Sequence, residues 1–257
     1  MKAIILAGGL GTRISEETES KPKPMVLIDD KPIIWHVMNI FAQQGINEFI
    51  LALGYRGEVI KRWLLDLNEL DGDITIDTAT KNVTRLGTGN QNSWKVTGLE
   101  TGLNTQTGGR IAQCMKAFPG ERVLATYGDG LANVSIPKLL EFHESHGKLA
   151  TVTAVRPPAR FGHLHMEGNQ VTNFGEKRQS EAGWINGGFF VLEPGVVDFI
   201  HDYSEPFETG ALPRLVEENQ LMAYHHGDFW QPMDTLREKN DLAEMAKQTP
   251  PPWLAIS

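Results

Sequence analysis

Met1-Lys2-Ala3-Ile4-Ile5-Leu6-Ala7-Gly8-Gly9-Leu10-Gly11-Thr12-Arg13 is an apolar strand that runs straight into a glycine-rich turn ending on arginine. Ala3 to Leu6 form a short uninterrupted apolar run, the pattern of a strand buried on both faces of a parallel sheet. Gly8, Gly9 and Gly11 remove three β-carbons within four positions, so the backbone can bend tightly and bring its N–H groups close to a ligand. Thr12 adds a hydroxyl, and Arg13 a permanent, forked cation suited to phosphate oxygens. The stretch from Leu6 and Ala7 to Arg13 reads as a cradle for nucleotide phosphates. Taken alone, the same residues fit a tight strand-to-helix turn with a surface arginine equally well.

Two better-known phosphate loops are excluded. The chain contains no Gly-x-x-x-x-Gly-Lys-Ser/Thr string. A Gly-x-Gly-x-x-Gly fingerprint starting at Gly9 would need its third glycine at Ile14. Lys21-Pro22-Lys23-Pro24-Met25 follows within a dozen residues. The two prolines stiffen that segment and hold it extended, so Lys23 is presented from a rigid strut, which adds a second fixed cation beside the loop.

Beyond the turn, strands and helices alternate. Ile33, Ile34, Val37, Met38 and Phe41 recur at helical spacing after Lys31-Pro32, with a stop at Gly45. Residues 49–53 predict a buried strand. Val59, Ile60, Trp63, Leu64 and Leu67 predict an amphipathic helix. Residues 123–126 predict another central strand and 136–145 a helix. This order points to a three-layer α/β architecture with a parallel sheet. Residues 81–104 are polar and lack periodicity, so a long loop or small hairpin is expected there. From Thr151 on, strand-like segments at 151–155, 163–166, 170–174 and 187–192 dominate, with a hairpin turn at Glu167 to Gln170. They are expected to complete the sheet and wall off a second pocket. A last helix begins near Thr235 and ends before Pro250-Pro251-Pro252, and the tail beyond it is expected to pack on a neighbour or fray. The whole chain, 1–257, reads as one domain, with residues 1–150 as the nucleotide-binding half and 151–257 as the other.

Lys plus Arg number 24 against 32 Asp plus Glu, a net charge of −8. That balance argues against a nucleic-acid backbone as partner. It also repels an anionic nucleotide at long range, so capture must depend on local cations and a divalent metal. Cys114 is the single cysteine, which leaves no intrachain disulfide or cysteine-based zinc site. The N-terminus meets glycine too soon for a signal peptide, and no apolar run has the length of a membrane span. A cytoplasmic protein without a membrane partner is expected.

Asp129, in Tyr127-Gly128-Asp129-Gly130, follows a predicted central strand, where open α/β sheets bind ligands. Flanked by glycines, it can approach a metal without hindrance, and oxygen-only ligation suits Mg²⁺. A plain turn aspartate is the other reading, which a second carboxylate at Asp234 makes less favourable. Glu176-Lys177 reads as an ordinary charge pair. Asn186 offers an amide for hydroxyl groups, and Gly187-Gly188 either leaves room for a ring or makes a bulge. Thr107-Gly108-Gly109-Arg110 opens a helix, a place that favours anions. The eight histidines form no metal-binding pattern: His225 and His226 are adjacent, and His163 and His165 share one strand face. Phe161, Trp184 and Trp230 could contact ring faces but fit a core equally.

Leu-Ala-Gly-Gly-x-Gly-Thr-Arg followed by Lys-Pro-Lys-Pro-Met is the signature of the sugar-1-phosphate nucleotidylyltransferases. Tyr127 to Gly130, Asn186-Gly187-Gly188-Phe189-Phe190 and Phe229-Trp230-Gln231-Pro232-Met233-Asp234-Thr235 extend the resemblance over nearly the whole chain. It implies a Rossmann-like, mixed but mostly parallel sheet of the nucleotide-diphospho-sugar transferase type with an extended sugar-binding half. It implies Asp129 and Asp234 jointly holding Mg²⁺ and Lys177 as the cation on a sugar 1-phosphate. Glu176, Asn186 and Gly187 would then lie on the sugar. Leu6 to Gly9, Gly11 to Arg13, Lys23, Thr107, Gly108, Arg110 and Asp129 would lie on the nucleotide. Thr-Gly-Gly-Arg is similar to the string of cytidylyl-transferring members, with Arg110 as a donor to a cytosine carbonyl. The implied reaction takes CTP and α-D-glucose 1-phosphate to CDP-glucose and pyrophosphate, with Arg13, Lys23, Lys177 and Asp129 as catalytic groups. The same chemistry on UTP or dTTP, or on another sugar phosphate, is the nearest alternative, and a nucleotide-sugar sensor without turnover the more distant one. A homo-oligomer and a role in cell-surface carbohydrate synthesis are further expectations.

Overall fold

Eight strands build one mixed sheet: β1 (Lys2–Leu6), β2 (Glu48–Leu53), β3 (Lys95–Glu100), β4 (Val123–Tyr127), β5 (Ala150–Val155), β6 (Ile185–Asn186), β7 (Phe190–Leu192) and β8 (Leu221–His226). The structure, a computed structural model, describes residues 1–9, 11, 14–69, 72–86, 93–157, 162–167, 170–176 and 183–256. β4, β1, β2 and β3 lie side by side and parallel. β7 joins antiparallel to β4, β5 pairs antiparallel with β7 and β6, and β8 runs parallel along β5.

The helices are α1 (Ser15–Thr18), α2 (Ile33–Ala42), α3 (Gly57–Glu69), α4 (Thr107–Ala117), α5 (Ile136–His146), α6 (Ala211–Glu217) and α7 (Leu236–Ala246). Side chains of β1 alternate between two cores. Ala3 and Ile5 pack with Val37, Phe41, Ile60, Leu139 and Leu242 on one face, and Ile4 with Ile111, Cys114, Phe190 and Leu215 on the other. Each fully buried aliphatic side chain contributes roughly 1.5–3 kcal/mol, so a strand covered on both faces anchors all three layers. Cys114 is one of these buried groups, and burial pushes its thiol up to about 12. Among the described residues no helix is long and apolar enough to cross a membrane.

Three expectations change. Residues 95–100 are not loop but β3, paired with β2 along its full length. Within the stretch 81–104, residues 82–86 do pair as a hairpin, but with 73–77, which lie outside it. Only Val96 and Leu99 mark β3 as apolar, too few for periodicity to register. Residues 162–167 and 170–176 stay out of the main sheet and pair with each other. The tail neither frays nor needs a neighbour: Trp253 is fully buried in the core beside His36 and Phe229.

A polar chain ties α5 to the sheet. The Lys148 N–H donates to His146 Nδ1 at 2.9 Å, which leaves His146 Nε2–H to meet Thr151 Oγ1 at 2.8 Å. Thr151 in turn meets His143 Nδ1 at 2.8 Å, and His143 Nε2–H faces Glu193 at 3.2 Å. Burial holds both imidazoles below the ordinary histidine value. The unfolded chain therefore takes up protons that the native state resists, and stability is lost as pH falls below about 6.5. Urea unfolding across that range is expected to show the decline, and His143→Gln to flatten it. A variant with the wild-type slope would contradict this reading.

Candidate active site

The parallel strands end in register, with Leu6 opposite both Ala52 and Tyr127. Their carboxyl ends thus deliver the glycine turn, Gly54 and Gly128-Asp129 to one edge. A cleft of about 400 Å³ opens there, within the size range of small-ligand sites. Leu6, Gly8, Gly9 and Gly11 line it, as do Tyr127, Gly128, Asp129 and Asp234. Lys23, Pro24, Leu103, Thr105, Gln106, Thr107 and Arg110 complete its lining.

The turn needs its glycine. A β-carbon on Gly8 would overlap the Arg110 guanidinium and stand 2.9 Å from the Gly54 nitrogen. Arg110 is 4% exposed. Its Nη1 donates to Leu53 O at 2.9 Å and Thr101 Oγ1 at 2.5 Å, and Nη2 donates to Gly8 O at 3.0 Å. Burial lowers its pKa from the ordinary arginine value, yet a guanidinium remains charged. The residue expected to reach toward a base thus lines the cleft while Nη2 holds the turn at Gly8 and Nη1 holds the ends of the neighbouring strand and loop at Leu53 and Thr101.

Pro22 is extended, but Lys23–Met25 make one turn of 3₁₀ helix rather than the extended strut expected from the paired prolines, since Pro24 fits a helical turn as readily as an extended one. Lys23 is 8% exposed. Its Nζ donates to Asp129 Oδ2 at 2.6 Å and to Asp234 Oδ1 at 2.8 Å. Burial pulls the ammonium's pKa down, but the charges and hydrogen bonds of the two carboxylates outweigh it, so the pKa lies above the usual lysine value.

Two local devices bring the carboxylates together. Residues 130–132 and 230–232 pair as a short antiparallel ribbon, and Met233 N–H donates to Asp129 O at 2.9 Å. Asp234 then sits just ahead of α7. The Glu238 carboxylate accepts from Asp234 N–H at 2.7 Å and from Thr235 N–H at 3.0 Å, while Thr235 Oγ1 accepts from Glu238 N–H at 3.2 Å. This capping box fixes the backbone that carries Asp234. Glu238 was not singled out from sequence, although Thr235-x-x-Glu238 is a legible signal.

Gly108 and Gly109 serve packing. A β-carbon on Gly109 would lie 2.5 Å from Tyr203 O, and one on Gly108 2.9 Å from Glu205 O. The segment pressed against them supplies Glu208, which no sequence motif marks. Glu208 Oε2 accepts from Thr107 Oγ1 at 2.7 Å, and Oε1 from Tyr127 OH at 2.5 Å. Asn186 Nδ2 donates to Tyr127 OH at 2.9 Å, and Asn186 Oδ1 accepts from Gly188 N–H at 2.8 Å. Gly187 is buried against Val155, and its carbonyl accepts from Trp230 Nε1 at 2.9 Å. Ala7 is fully buried in the core.

Trp184 is exposed and stacks near His225 and Arg156, while His226, on the opposite strand face, is buried. Thr12, Arg13, Phe161 and Lys177 lie outside the described residues, and Glu176 is placed only as the last residue of its strand. Among the described residues no group of three or more His, Cys, Asp or Glu side chains gathers for a metal.

The chain is 44% identical over 254 residues to glucose-1-phosphate cytidylyltransferase of Salmonella typhi, covering 98% of each chain. It is 43% identical to a probable glucose-1-phosphate cytidylyltransferase of Bacillus subtilis, across 98% of this chain and 99% of that one. The crystal structure of HddC from Yersinia pseudotuberculosis with GMP-PN superposes with a TM-score of 0.70 at 23% identity, covering 96% of this chain and 99% of that one. Residues 2–247 match the Nucleotidyl transferase family. A glycine turn, a buried lysine and two convergent aspartates on the edge of such a sheet are thus the local expression of a likeness that runs end to end, and the chain belongs to the nucleotidyl transferase family.

Proposed function

We propose that this chain transfers the cytidylyl group of CTP to α-D-glucose 1-phosphate, releasing CDP-glucose and pyrophosphate. The observation that carries the chemistry is Lys23 Nζ held between Asp129 and Asp234 beside the glycine turn. The choice of CTP and glucose 1-phosphate follows the relatives that match over nearly the full chain.

A phosphate oxygen of the sugar phosphate attacks the α-phosphorus. The new P–O bond forms as the bond to the bridging oxygen breaks, and pyrophosphate leaves with that electron pair. The nucleophile is already anionic, so no general base is required. Alignment and charge neutralisation do the rest; holding two reactants in attack geometry supplies roughly 7–11 kcal/mol. Residues 1–150 contribute the phosphate cradle and the base end. There the backbone of Leu6 to Gly11 and the Thr12 hydroxyl meet the phosphates, Arg13 neutralises the leaving pyrophosphate and Lys23 contacts the α-phosphate. Residues 151–257 contribute Lys177 for the incoming phosphate, Glu176, Asn186 and Gly187 for the sugar, and Asp234.

The donor set fits magnesium. Two hard carboxylate oxygens from separate elements already converge on one cation, the Lys23 ammonium, and Mg²⁺ characteristically takes one or two carboxylates with water and phosphate. Asp129 and Asp234 would hold it, and when bound it neutralises phosphate charge during transfer.

Pyrophosphate release from a panel of CTP, UTP, dTTP and GTP with glucose 1-phosphate tests the assignment. CTP is expected to lead in kcat/KM by about tenfold or more. Equal or better turnover of another nucleotide would reassign the base, and CTP binding without release would favour a sensor.

A further inference from the structure

The Glu208 carboxylate sits where three separated pieces of chain meet. It takes the hydroxyl of Thr107, the first residue of α4, and the hydroxyl of Tyr127, the last residue of β4. An ionised carboxylate only accepts hydrogen bonds, so both hydroxyl protons are directed at Glu208. Each hydroxyl has two lone pairs. One on Thr107 is taken by the Phe207 N–H at 2.7 Å, and one on Tyr127 by Asn186 Nδ2 at 2.9 Å. What each can still offer a ligand is a lone pair. Tyr127 keeps its proton firmly: burial, then the Glu208 charge, raises the phenol above its ordinary value.

Thr107 and Tyr127 both line the cleft. Its charges are divided unevenly. Lys23, Asp129 and Asp234 form one hydrogen-bonded group. Leu103, Thr105, Gln106 and Thr107 line the cleft from one run of chain leading into α4, with Arg110 as the charged group among the described lining residues of that run, its terminal nitrogens held by protein oxygens. An uncharged heterocycle belongs against this run, and its phosphates beside Lys23.

We propose that Glu208 is a positioning residue that fixes Thr107 as a hydrogen-bond acceptor for the base in the cleft, and so selects a pyrimidine bearing an exocyclic amine over one bearing a carbonyl in its place. The inference rests on the proposed use of CTP and adds the residue that reads the base. Cytosine presents an amine at C4, uracil a carbonyl. A locked acceptor pairs with the first and leaves the second facing an unpaired lone pair, a mismatch that polar sites reject strongly.

The test measures Kd by calorimetry and kcat/KM by pyrophosphate release, for CTP and UTP, in wild type, Glu208→Ala, Thr107→Val and Thr107→Ser. Removing the carboxylate lets the Thr107 hydroxyl turn its proton into the cleft. Glu208→Ala is expected to cut the CTP:UTP ratio by about tenfold, with UTP binding no weaker than in wild type. Thr107→Val keeps the side-chain shape without the hydroxyl and is expected to cut the ratio similarly, and Thr107→Ser to restore it. Ratios that stay at the wild-type value, with both nucleotides weakened together, would show a merely structural role and overturn the proposal. If thermal melts show Glu208→Ala unfolded, Thr107→Val decides alone by the same criterion. A wild type with no preference for CTP would instead remove the proposed function, an outcome separate from an unmoved ratio in the variants.

Discussion

Asp129→Asn and Asp234→Asn are each expected to lower turnover by about 10³-fold or more, with the far-UV spectrum of the folded protein retained. Each change keeps the side-chain shape and removes one negative charge. The two carboxylates reach a single cation from strands and helices that share no local sequence: one at the end of β4, the other ahead of α7, joined through the 130–132 and 230–232 ribbon. If that point is where a divalent ion and the nucleotide phosphates meet, halving its charge removes stabilisation needed most when charge shifts toward pyrophosphate. Mn²⁺ binding followed by electron paramagnetic resonance, in the presence of nucleotide, gives a second readout independent of turnover. Both variants are expected to weaken it. Substantial activity in either at saturating Mg²⁺ would refute the metal assignment.

Lys23→Met carries the second large effect, and its two readouts move in opposite directions. Turnover is expected to fall by about 10²–10³-fold, the loss typical of one preorganised charge partner. Metal binding without nucleotide is expected to improve. In the native cleft the ammonium stands 2.6 and 2.8 Å from the carboxylates, where it competes with any other cation for them. Without it, Asp129 and Asp234 are left as like charges at close quarters, which favours either a divalent ion or a proton on one of them. Manganese titration is expected to show tighter binding, by about tenfold, because removing a cation that occupies the same oxygens removes a competitor. Weaker manganese binding in Lys23→Met would mean that the lysine organises the carboxylates without competing for them. Lys23→Arg is not expected to restore turnover, because a planar fork cannot replace a compact point charge between two separate oxygens.

Much of this was legible in the chain. The alternation of apolar runs and amphipathic helices gave the layered α/β architecture because burial on both faces leaves a period-independent apolar run. The paired prolines marked the rigid segment of Lys23, and Thr235 marked the start of α7. The failures have specific causes. β3 carries too few apolar side chains to stand out. Trp253 follows three prolines, which signal the end of a helix but say nothing about where the chain goes next. That Arg110 is buried was not legible, because nothing local shows that Gly8 and Gly54 leave a slot for its guanidinium.

Local chemistry in the amino-acid order alone determined the glycine turn, the rigid lysine segment and the layered class of the fold, since each depends on residues within a few positions of one another, while the pairing of Asp129 with Asp234 came from the family resemblance. Only the tertiary structure decided that Lys23 bridges Asp129 and Asp234, that Arg110 lies beneath the turn, and that Glu208 joins Thr107 to Tyr127. Those contacts span from 81 to 211 positions, and such distances are closed by strand pairing and core packing, which no window along the chain contains.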